Sequence, residues 1–195
     1  RCRSETGTAL AASPSILGLA SAIRGSRAAE LGDWTQRIAC GVDVITGVAT
    51  PSQARGLSAE FWRALAMRST NADADIVVDL GRLNRDASTL ALANECDVLM
   101  PVVSSSVESL MHTRELLRDM VTGGPRIVPL LLGPARTAAA DATDFDEVLA
   151  AAGVVAGRTL SLPLDHPGLT SLEAGAKPSG RGRSHLLIRA AKAAT

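Results

Sequence analysis

DVLMPVVSSSVESLMHTRELLRDM, residues 97–120, joins two patterns within one short stretch. Residues 97–103 are mostly apolar on both faces of an extended chain, with valines at 98, 102 and 103. A strand with no polar side to show water is buried on both faces, the usual state of a parallel sheet covered by helices. After the serines the period changes. Val107, Leu110, Met111, Leu117 and then Val121 fall on one helical stripe, which runs out at Gly123-Gly124. Ser105, with Glu108 three residues later, predicts a capping box at the helix start. A strand followed directly by an amphipathic helix is half of a βαβ unit.

The same alternation extends in both directions. Further strands are predicted at Val42 to Thr46, Asp75 to Asp79, Arg126 to Leu132 and Arg158 to Pro163, and their starts are spaced by about 22 to 33 residues. Leu57, Phe61 and Leu65 predict a helix over about Ser58 to Arg68. Thr143 or Asp144 caps a predicted helix carrying Phe145, Val148 and Leu149 and stopping near Gly153. A last helix, about Ser184 to Ala194, follows the loop GAKPSGRGR. Pro101 and Pro129 lie inside two predicted strands; because proline donates no hydrogen bond, each predicts a strand end, a bulge or an edge. The fold class is therefore α/β: a three-layer, mostly parallel sheet flanked by helices.

Composition narrows the function. The chain has 195 residues, 20 basic and 20 acidic side chains, 46% hydrophobic residues and 2% aromatic ones. A chain of that length buries roughly 70% of its unfolded surface, enough for one domain with a proper core. Zero net charge leaves no electrostatic footprint for DNA or an acidic membrane. No apolar run approaches the roughly 20 residues of a membrane span. Eighteen of the basic residues are Arg, and the lysines are Lys177 and Lys192. Cys2, Cys40 and Cys96 are widely spaced, which suggests neither a disulfide framework nor a zinc site and fits a reduced, cytoplasmic setting. The chain opens at Arg1 without a signal peptide pattern, so a missing upstream segment is expected.

Ligands of open parallel sheets bind beyond the carboxyl ends of the strands. ADIVVDLGRLN puts Asp79 at such an end, with Gly81 just after it, where a backbone N–H can approach a phosphate. A carboxylate there holds magnesium through water or orients an attacking water; alternatively it caps the following turn. A Ser161, Asp165 and His166 hydrolase is set aside, because no G-x-S-x-G elbow exists. GVDVITGVAT lacks the glycines of a dinucleotide site. His112 reads as a surface or satisfied core residue, Arg82 and Arg85 as solvated, and the Arg181-Arg183 pair as too little charge for nucleic acid.

Taken in order, ADIVVDLGRLN, LALANECDVLMPVVSSSVESLMHTRELLRDM, RIVPLLLGP and RTLSLPLDHPGLTSLEAG resemble the central and C-terminal part of the MinD/ParA family of deviant Walker P-loop ATPases. The resemblance spans roughly residues 7 to 192 and rests on the order and spacing of these motifs. It implies a P-loop NTPase-like domain that binds ATP and magnesium, dimerises around nucleotide and positions or partitions cell machinery, as in bacterial cell division and chromosome partitioning. By position, Asp79 matches the Walker B-type aspartate near magnesium. Gly81 matches the switch region that senses the γ-phosphate, and Pro163 and Asp165 match the loop against the base. The partners implied are a second copy or a regulatory protein.

The departures are specific. No GKT or GKS occurs anywhere, and Gly133-Pro134 stand where the family often has a base-binding Asn. Without the glycine-rich loop and its lysine the phosphates have no principal holder. SETGTALAASPSILGLASAIRG resembles the segment after the family's second strand. Residues 1–195 are therefore expected to be a single domain lacking its N-terminal strand and P-loop, inactive as an ATPase unless that loop lies upstream. Two alternatives are a degenerate, non-catalytic α/β scaffold that binds a protein partner, and a binding or regulatory domain unrelated to ATPases.

Overall fold

The computed structural model describes residues 10–25, 30–38, 41–120 and 124–173. The expected last helix lies outside them, as do Val121 and Gly123. The chain divides into two compact units, Arg1–Glu95 and Cys96–Thr195.

The first unit is mostly helical. Helix α1 (Ile16–Arg24) is followed by a short antiparallel hairpin, β1 (Gln36–Arg37) with β2 (Asp43–Val44), then α2 (Pro51–Arg55), α3 (Ala59–Ser69) and α4 (Leu90–Ala93). The strand expected at Val42 to Thr46 is thus short and antiparallel; its end is held by a parallel bridge between Thr46 and Ser15. Thr50 and Gln53 form a reciprocal capping box on α2, with Pro51 at its first position. Helix α3 starts one residue after Ser58, whose hydroxyl accepts from the Phe61 N–H, as the sequence period predicts. Its apolar face puts Phe61, Trp62, Leu65 and Ala66 into a core with Leu19, Ala20, Leu57 and Leu92. Trp62 still satisfies its indole N–H, which donates to Ser88 Oγ at 3.2 Å.

The second unit holds the parallel sheet. Its outer strand comes in two pieces, β3 (Val98–Leu99) and β4 (Val102–Ser104); the middle strand does likewise, β5 (Arg126–Ile127) and β6 (Leu130–Gly133); β7 (Leu160–Pro163) follows. β3 pairs with β5, and β4–β6–β7 form one ladder, all parallel. The break has a local cause. Leu130 N–H donates to the Pro101 carbonyl and Ser105 N–H to the Leu132 carbonyl, so the odd-numbered residues of the outer strand face its neighbour. Pro101 falls on that side with no N–H to give, and the ladder lapses for one step before resuming at Val102.

One face of this sheet is sealed. Leu99, Val103, Ile127 and Leu131 are buried with Leu117 of α5 (Val107–Met120) and with Phe145 and Leu149 of α6 (Ala138–Ala151). Helix α6 begins several residues before the expected Thr143 or Asp144, because Pro134 accepts from Thr137 and Ala138 and the intervening alanines are strong helix formers. Ala138, Ala142, Phe145 and Leu149 then fall on one buried stripe. The helix ends as expected at Gly153, which has φ +74°. Its N–H donates to Ala150 and the next N–H, of Val154, reaches back to Leu149, a Schellman close that requires the left-handed region. Helix α7 (His166–Glu173) follows β7. The α/β class, with mainly parallel sheets flanked by helices, is the one the sequence predicts.

Two elements differ from expectation. Asp75 to Asp79 belongs to no strand, and no backbone hydrogen bond joins it to another described residue. Its apolar side chains face outward, Val77 being 97% exposed, while Leu80 anchors the end of the segment on the first unit's core. The cap of α5 is Ser106 rather than Ser105: Ser106 Oγ accepts from Ser109 N–H, while Ser105 N–H is still spent on the sheet. On that helix Val107 and Met111 are exposed, and Leu117 carries the burial.

Candidate functional site

The predicted site residues fall into two local arrangements, one in each unit. In the first, the apolar segment 76–78 leads to Asp79 at a turn. Asp79 Oδ1 accepts from Gly81 N–H at 2.9 Å, and Gly81 has φ +64°, a conformation that glycine takes at no steric cost. Both residues are exposed, and the second carboxylate oxygen makes no hydrogen bond to a described residue. Asn84 repeats the device on Asp86 N–H at 3.0 Å. Asp79 therefore caps its turn, and with its other oxygen it retains the capacity to bind a water or a hydrated cation.

The second arrangement is the carboxyl end of the parallel sheet. Leu164 N–H donates to the Gly133 carbonyl at 2.9 Å, which prolongs the β6–β7 ladder past Pro163. Pro163 and Asp165 are both buried. Asp165 Oδ1 accepts from Gly168 N–H at 3.0 Å, the bond of an N-cap residue to the third position of α7. Gly168 leaves room for this, since a Cβ there would lie 2.5 Å from Asp165 Oδ2. Upstream, the Asp146 carboxylate accepts from both the backbone and the hydroxyl of Thr159, tying α6 to the start of β7. The anchoring role of Asp146 has no sequence signal, because its partner is 13 residues away.

Beside these residues lie the serines at the end of β4 and just after it. Ser104 N–H donates to Ser109 Oγ at 3.3 Å, and the Ser104 and Ser106 hydroxyls are 3.2 Å apart. Gly133 faces Ser105: a Cβ at position 133 would come within 3.1 Å of Ser105 Oγ. At the position where the family often has Asn, a side chain would therefore press on Ser105, whose hydroxyl would have to give by a few tenths of an ångström. His112 is exposed on α5, as one of its two sequence readings has it.

As a nucleotide site the residues present fit in part. Asp79 suits magnesium, which keeps several waters and needs only one or two carboxylates. The described residues contain no group of three or more His, Cys, Asp or Glu side chains arranged for a metal. The phosphates are less well served, because the sequence has no GK[ST] loop and both lysines lie outside the described residues. No described helix is long and apolar enough to cross a membrane.

No family model matches the sequence, and no curated protein does. Among solved structures the chain is similar to a ParA family ATPase from Chlorobium tepidum TLS, with 18% identity and a TM-score of 0.67, over 93% of this chain and 74% of that one. At that identity the likeness is one of fold.

Proposed function

We propose that this chain is the greater part of a MinD/ParA-like ATPase domain, one that positions or partitions cell machinery, and that it works with a phosphate-binding loop absent from residues 1–195. One observation carries the reading: the largely apolar segment Asp75–Leu80 has no ladder partner among the described residues, and it ends in the Asp79–Gly81 turn. Exposed valines and unpaired backbone are costly unless a neighbouring strand covers them. The family's central strand, which leads into the P-loop, is such a neighbour. ParA-like architecture at a TM-score of 0.67 supports the same reading.

In this role ATP and magnesium supply the phosphoryl group and its charge neutralisation. Asp79 would hold magnesium, through water, with the carboxylate oxygen that does not bond Gly81. Gly81 would offer its N–H to the γ-phosphate, and the Pro163–Asp165 loop would border the base. The protein then pairs with a second copy or a regulatory protein. The test is an upstream-extended protein containing a glycine-rich lysine loop after an apolar strand. It is expected to hydrolyse ATP, and Asp79→Ala to abolish hydrolysis; a variant working at the wild-type rate overturns the assignment.

A second reading, a non-catalytic scaffold for a protein partner, is favoured by the structural use of Asp165 as a helix cap. Calorimetry with ATP and magnesium on residues 1–195 separates the two from a self-sufficient enzyme. No binding is expected, and micromolar affinity contradicts the scaffold.

A further inference from the structure

We draw no further inference here: the strongest candidate, the serine cluster Ser104, Ser106 and Ser109 at the N-terminus of α5 beside Gly133, carries nothing because its hydrogen bonds stay within the loop and first turn and no second observation points to a ligand there.

Discussion

Asp165 shows how one side chain can answer to two descriptions. Its motif, LPLD, reads as a nucleotide-facing loop, yet its carboxylate is buried and spent on the first turn of α7. Capping needs an acceptor, not a charge, so Asp165→Asn is expected to keep the fold while Asp165→Ala loses about 1 kcal/mol in urea unfolding. Equal losses from both would show that the charge matters. Gly18 makes a stricter demand. A Cβ there would lie 2.3 Å from Trp34 Cζ3, so Gly18→Ala is expected to cost about 1–3 kcal/mol in the same measurement, because the ring has to shift. Nothing in the sequence announces this contact, since residues 18 and 34 belong to different elements. Cys96 is legible only as a lone thiol. Burial is the largest influence on it and pushes its pKa up, so less thiolate is present at a given pH. Site-resolved mass spectrometry is expected to find Cys96 alkylated more slowly at pH 8 than a free thiol.

Among the elements, periodicity was informative where burial is decided by one neighbour. Helix α3 begins where Ser58 says it should, and the Phe145–Leu149 stripe of α6 faces the sheet. Phe145 is wholly buried, so Phe145→Ala is expected to cost about 3–5 kcal/mol by denaturant unfolding. Val107 belongs to an equally plausible stripe on α5 but is 71% exposed; Val107→Ala is expected to change stability by less than about 0.5 kcal/mol. The difference is that on α5 the burial falls at Leu117, and an apolar spacing alone does not say which turn does the packing. Asp75–Asp79 errs in the other direction. Its valines carry strong β character, but a strand exists only when a neighbour takes up its backbone groups. Side-chain pattern reports the first requirement and is silent on the second.

For the molecule as a whole, the alternation of strands and helices was enough to give the α/β class. The parallel register follows from crossover connections, which such spacing demands. Two compact units were not legible, because the chain has no compositional seam near Glu95. The proposed role adds a test at this scale. Light scattering on residues 1–195 is expected to give the same mass with and without ATP, whereas the upstream-extended protein shifts to a dimer. Val77→Lys extends the argument: it is expected to be nearly neutral in residues 1–195, where the side chain is 97% exposed, but to cost more than about 1 kcal/mol once a strand lies alongside. On the outer strand the odd-numbered residues, Pro101 among them, turn to the inner ladder, which leaves the even-numbered residues facing outward. At one end the Ser109 hydroxyl already occupies the Ser104 N–H, and at the other the Cys96 thiol donates to the Val98 carbonyl. Any strand that joins this edge is therefore measured before it arrives: it has about five residues, or roughly 17 Å, in which to register.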